Sequence, residues 1–408
     1  MKSYHPKIEN SWLLLLRIGK LAESLEPSLV DFFSDNSLFS IERVEVFTHR
    51  VSTRTEFLFV RMIAVEGEMG WGEASFNDLN GQVIVALRIL ADAIQGYSIE
   101  KARNYLTDLP AWKYGRAYQI ALSALEQAMA DIQSQRLGLP FGALFGSPQR
   151  TRIPCYANIN RGTTERSPEG WSKRAQKAIS KGFPAIKIAP FDGLVGGAEC
   201  LKSASFKEGI ETIAAVRDSM NSKIDLMLDC HWRFDLNSTI SLLDKTAEYK
   251  LAWLEAPIYE DYLAIDDLCK IRRKANESGM KLAGGEYLDG ARATSPFIQS
   301  GAYDVINPDI RLCGVKGSLC IAFDAASKGI RYAPHNHLGP IMTAVNLHLM
   351  SVAPHAMTIE IQFEEVDIEP KLIRSTFYTP VSGYLDVPEG PGLGVDVNVG
   401  SMVSVPLC

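Results

Sequence analysis

From about residue 152 the chain alternates short apolar runs with helix-length segments eight times over, and few folds accommodate that rhythm. The runs fall at 153–157, 185–188, 224–229, 252–255, 281–286, 305–309, 331–335 and 358–361. Eight strands with helices between them predict a closed parallel barrel rather than an open sheet. Polar residues end or interrupt the runs at similar intervals. Asp229, Glu255 and Glu286 close three successive ones, Lys187 and Glu360 lie within two others, and Asp309 and His335 close two more. In a parallel barrel the strand ends meet at one rim, so all seven are expected there.

A single acid at a strand end often only caps the next helix. Three in series offer hard oxygen ligands without a His or Cys partner, a set that suits Mg²⁺ and leaves positions for water and substrate. The chain therefore reads as a metal-dependent enzyme.

Residues 1–40 are expected to form a helical extension, with Leu14, Ile18, Leu21 and Leu25 on one apolar stripe. A region spanning 41–150 follows, in which two-residue alternation at 41–49 and 56–65 gives way to helical patterns at 81–96, 99–108 and 115–137. This predicts an α+β domain. The barrel is assigned to 151–365, and a Pro-, Gly- and Val-rich segment, 366–408, is expected to return to the first domain.

The formal net charge of −6 over 408 residues supplies no electrostatic footprint for nucleic acid. Seven cysteines without a C-x-x-C pair argue for reduced thiols rather than a disulfide frame or zinc site. No apolar run reaches the roughly 18 residues that span a bilayer. The expected partner is a small molecule, with no nucleic acid and no membrane, and the expected location is cytoplasmic.

Several motifs occur in a telling order: Gly70-Trp71-Gly72-Glu73-Ala74, Leu137-Gly138-Leu139-Pro140, Asp229-Cys230-His231, Leu254-Glu255-Ala256-Pro257, Gly284-Gly285-Glu286, Asn307-Pro308-Asp309, Ala333-Pro334-His335 and Gly390-Pro391-Gly392-Leu393-Gly394. In that order they resemble the enolase superfamily, in particular its mandelate racemase subgroup, from Ile41 to the C-terminus. The resemblance implies a modified TIM barrel, (β/α)7β, with an α+β capping domain. It implies Mg²⁺ on Asp229, Glu255 and Glu286, and abstraction of a proton α to a carboxylate. Lys187 would add positive charge at the substrate carboxylate. Glu360, if protonated, would donate a hydrogen bond to the enediolate, and His335 with Asp309 matches the subgroup's basic dyad. The resemblance also suggests a homo-oligomer, a dimer or an octamer built from dimers.

Two positions narrow the activity. Ala189 stands where racemases and lactonising enzymes of the superfamily commonly carry a second lysine, so a lysine base on the opposite face is absent. His231 stands where acid-sugar dehydratases resembling galactonate dehydratase carry the general acid for the departing β-hydroxyl. The leading expectation is an acid-sugar dehydratase acting on an aldonate or aldarate to give a 2-keto-3-deoxy acid. A lactone cycloisomerase or epimerase is the enzymatic alternative, and a catalytically silent binding or regulatory protein the alternative of another class. Specificity is expected from His49, Arg50, Arg54 and Asn77 in capping loops. His348 and His355 are expected to pack or face solvent, and His337 lies just beyond the rim.

Overall fold

The computed structural model describes residues 39–109, 114–196, 200–363, 372–374 and 378–407. The expected N-terminal helix with Leu14, Ile18, Leu21 and Leu25 lies outside them.

Eight parallel strands form the catalytic body: β4 (Arg152–Asn158), β5 (Ala185–Ile188), β6 (Asp225–Asp229), β7 (Trp253–Glu255), β8 (Lys281–Gly284), β9 (Val305–Ile306), β10 (Arg331–Tyr332) and β11 (Ile359–Gln362). Each pairs with the next in sequence from β4 to β10, and β11 pairs with β4. A parallel bridge between Tyr332 and Ala356, just ahead of β11, closes the ring. One α-helix fills each of the seven intervals, giving the (β/α)7β barrel that the sequence predicts.

Side chains alternate along each strand, so residues two apart face the same side. Tyr156, Ala185, Met227, Trp253, Ala283, Val305 and Ala333 pack together as one buried cluster. Trp253 meets Tyr156 edge-on at 5.5 Å, and the alanines leave room for both rings. Trp253→Ala at this layer would cost about 3–5 kcal/mol. Two residues further along the same strands stand Asn158, Lys187, Asp229 and Glu255. Strand alternation thus stacks a polar layer directly on an apolar one, with Asn158 paired to Lys187 and Asp229 to Glu255 in the register.

The first body of the chain has β1 (Ile41–Arg50), β2 (Glu56–Ala64) and β3 (Met69–Glu73) in an antiparallel sheet, followed by helices Asn80–Ile94, Ile99–Asp108 and Arg116–Arg136. β3 lies flat on the last helix because Gly70 and Gly72 permit it. A Cβ at either would stand 2.1 Å from the carbonyl oxygen of Ala128 or Ala124. The chain end comes back in two steps: β12 (Tyr384–Asp386) pairs with β4, and β13 (Val403–Val405) adds to the edge of β1.

Helix Arg116–Arg136 buries polar side chains that tie the two bodies together. Ser123 donates to the Ile310 carbonyl, Glu126 accepts from the Val315 and Lys316 amides, and Asp131 accepts from the Trp71 and Leu393 amides. Buried polar groups are tolerated when each finds such a partner.

Candidate active site

Several of the expected rim residues come from backbone beyond the regular strands. β8 ends at Gly284, two residues before Glu286, β9 ends at Ile306 before Asp309, and β10 ends at Tyr332 before His335. Asp309 is the N-cap of helix Ile310–Ser327, and Asp309 and His335 continue the strand pairing as a single parallel bridge. On the β6 and β7 side three non-glycine residues, His231, Trp232 and Ala256, have φ of 44°, 58° and 41°. Left-handed backbone costs of order 1–3 kcal/mol per such residue and is retained where it aims a side chain.

Asp229, Glu255 and Glu286 are buried, and each offers a ligand atom within 4.8 Å of the others. Lys187 counters them, with its Nζ 2.7 Å from Glu255 Oε1, 3.1 Å from Glu360 Oε1 and 3.5 Å from Asp229 Oδ2. One ammonium does not satisfy them all. Glu255 Oε2 and Glu286 Oε2 are buried without a hydrogen-bond partner among the described residues, which is costly for a carboxylate. Burial first, then the charges of Asp229, Glu286 and Glu360, push Glu255 up against the pull of Lys187. Burial would also raise Asp229, but His231 and Lys187 outweigh it and hold Asp229 below the usual carboxylate range. Orphaned oxygens on an all-carboxylate set fit a hard divalent cation.

One histidine flanks each end of this set. His335 places Nδ1 3.1 Å from Asp309 Oδ2 and Nε2 3.5 Å from Glu286 Oε2. Burial would lower its pKa, but Glu286, Asp309 and Glu360 together raise it to about 9. Arg311 grips Asp309 through Nε at 2.9 and 3.0 Å and through Nη2, and its backbone amide adds a bond of 2.9 Å. Asp309, His335 and His337 also gather ligand atoms within 4.8 Å. Because Arg311 and the imidazole already occupy Asp309, this group is a dyad rather than a metal site.

At the other end, His231 places Nε2 3.2 Å from Asp229 Oδ2 and Nδ1 2.5 Å from Asp192 Oδ1. Its burial acts to lower its pKa, and the Asp229 and Asp192 carboxylates overcome this and raise it to about 12. Arg166 stands 3.7 Å from the other Asp192 oxygen.

The resemblance implies that Glu360, if protonated, donates a hydrogen bond to the enediolate. Burial favours that form, but Lys187 and His335 prevail and hold Glu360 below the ordinary carboxylate range. Asn158 donates to Oε1 at 2.5 Å and the Asn336 amide to Oε2 at 3.1 Å. In this structure Glu360 accepts both bonds, with the Lys187 ammonium beside its Oε1.

Of the residues expected in capping loops, His49 and Arg50 lie instead at the end of β1; His49 binds the Ser401 carbonyl at 2.9 Å, Arg50 pairs with Glu56 at 2.9 Å, and Asn77 accepts from the Glu56 amide at 3.3 Å. None of these contacts reaches the carboxylates or either histidine. Arg54 is exposed and close enough to Arg166 to act on its charge. His337 stacks on His335 at 4.1 Å, and Arg161 donates to its carbonyl. His348 is buried against Phe141 with Nε2 3.2 Å from the Leu393 carbonyl, and His355 is an exposed turn residue.

Sequence reasoning missed Asp192, Arg311, Asn158, Asn336 and the part played by Glu73. Glu73, in Gly70-Trp71-Gly72-Glu73-Ala74, accepts from the Gly339 and Met342 amides and from the Ser75 hydroxyl. Arg311 in turn donates to the Ser75 carbonyl at 3.1 Å. Only Arg311 left a signal, in its spacing two residues after an N-capping aspartate.

A family model described as enolase C-terminal domain-like matches residues 171–401. A D-gluconate dehydratase of Thermoproteus tenax is 28% identical over 349 residues, covering 84% of this chain and 68% of its own. A D-galactarolactone cycloisomerase of Agrobacterium fabrum is 25% identical over 87% of this chain and 95% of its own. Among solved structures, a member of the enolase superfamily from Salmonella Typhimurium superposes with a TM-score of 0.80 at 22% identity, over 90% of this chain and 100% of that one.

Proposed function

Since the chain belongs to the enolase C-terminal domain-like family, we propose that it is a Mg²⁺-dependent acid-sugar dehydratase, removing the C2 proton and the C3 hydroxyl of an aldonate or aldarate. The observation that carries this reading is the pair of His–Asp units at opposite ends of the carboxylate set, with only a methyl group at Ala189. Gluconate dehydratase among the relatives supports it.

Asp229, Glu255 and Glu286 would hold the cation, which supplies Lewis acidity toward the substrate carboxylate and offsets the negative charge that raises His335. His335 Nε2 takes the C2 proton, while Asp309 fixes the ring through Nδ1. Lys187, itself buried, places positive charge beside the growing enediolate. As the C3–O bond breaks, His231 Nε2 gives its proton to the oxygen, and water leaves in place of hydroxide. The resulting enol takes up a proton at C3 and becomes the 2-keto-3-deoxy acid.

A lactone cycloisomerase is favoured by one relative. There the leaving group is a carboxylate, which departs without protonation, and His231 would have no task. Screening aldonates, aldarates and their lactones for keto-acid formation tests the choice. Turnover should vanish with a chelator and return with Mg²⁺; full turnover in metal-free protein, or lactone consumption without loss of water from any acid sugar, would overturn the proposal.

A further inference from the structure

We infer that Asp192 is a positioning residue for His231, holding the imidazole so that Nε2 faces the reacting end of the substrate. The inference rests on the reading of His231 as the acid in dehydration. His231 sits in a tight turn with φ 44°, and its ring has two polar neighbours, Asp229 at Nε2 and Asp192 at Nδ1. Asp229 is one of the three carboxylates assigned to the cation, so it cannot also dictate the ring's orientation during reaction. That leaves Asp192 at 2.5 Å as the contact that stops the ring from turning.

The placement of Asp192 is itself secured by packing. Its neighbour Phe191 is buried, stacked on Phe206 at 5.7 Å and edge-on to Phe234 at 5.1 Å. Gly209 makes room for that ring, since a Cβ there would lie 2.1 Å from Phe191 Cε1. The Asp192 carboxylate is steadied at its other oxygen by Arg166, whose guanidinium lies 4.8 Å over the Trp171 ring. The loop after β5 thus contributes an orienting carboxylate in the stretch where Ala189 has replaced the second lysine.

An acceptor is what orientation requires, so an amide can substitute and a methyl cannot. Asp192→Ala should lower kcat for dehydration about 10- to 100-fold, the usual scale for losing a carboxylate behind a functional imidazole. KM and exchange of the C2 hydrogen with deuterated solvent should stay at wild-type values, because His335 is untouched. Asp192→Asn should recover most of the rate. A crystal structure of Asp192→Ala gives a readout free of activity, with the His231 ring expected to turn from its wild-type orientation. Unchanged dehydration in the alanine variant, equal losses of exchange and dehydration, or an unmoved ring would overturn the inference. If wild-type protein dehydrates no acid sugar, the proposed function fails, and the ring's orientation still decides the role of Asp192.

Discussion

The two ends of the carboxylate set carry the same sequence of groups, His–Asp–Arg, built in opposite ways. At the His335 end, proposed to hold the base, Asp309 and Arg311 are almost wholly buried, with side chains 0% and 5% exposed, and Arg311 reaches across to the capping body. At the acid end, Asp192 and Arg166 are each 38% exposed and come from two loops of the barrel rim. Charges removed from water must be paired with good geometry, whereas those at a surface tolerate looser contacts. The buried arm therefore has little positional freedom, and the open arm depends on the packing of one loop. In the proposed mechanism, a base that must meet a carbon-bound proton gains from the first arrangement, and an acid that protonates a departing hydroxyl gains from proximity to solvent.

Changing the histidines tests the comparison most severely. His335→Asn should remove C2 exchange and dehydration together, by roughly 10²- to 10⁴-fold. In His231→Asn dehydration should fall on a similar scale of about 10²- to 10⁴-fold while exchange persists. Following both reactions in each variant would break the division of labour if the two losses looked alike.

The arginines should separate the arms by stability. Arg311→Met leaves the Asp309 charge buried beside His335 without its guanidinium partner, and a loss of about 3–5 kcal/mol in urea unfolding is expected. His348 supplies a reference, being a buried histidine bound to a carbonyl rather than a carboxylate, its pKa lowered to about 4 chiefly by burial. Below pH 6.5 the unfolded chain binds this proton and the folded chain does not, so stability falls with pH until about pH 4. Replacing it with Gln should flatten the wild-type loss of stability between pH 7 and pH 5, by up to about 2 kcal/mol. Arg166→Met should cost least, about 0–1 kcal/mol, since its pair with Asp192 is screened by water. A large loss there would erase the contrast between the arms.

Much of this plan is legible before any coordinates. The alternation of runs and helices marks the barrel, and strand period accounts for Lys187, Asp229 and Glu255 facing one interior, because β5, β6 and β7 are regular up to those residues. Legibility declines where the backbone leaves the strands. Asp192 lies four residues past β5, and its approach to His231 depends on how Phe191 packs, which no local pattern encodes. Asn158 and Asn336 read as ordinary amides until Glu360 is found between them. The charge state of Glu360 is likewise set by neighbours on three other parts of the chain. His49, expected in a capping loop, lies instead near the end of β1, and contacts within the capping body claim both its side chain and that of Asn77.

The end of β3 holds the His335 loop through Glu73 and the Asp309 clamp through Ser75, so one short piece of the capping body is shared by both halves of the base dyad. For protein engineering this limits modularity. Grafting a foreign capping domain onto this barrel would exchange together the capping loops and the contacts that hold His335 and Asp309. A graft that keeps Glu73 and Ser75 with the barrel would preserve the contacts to the His335 loop and to Arg311.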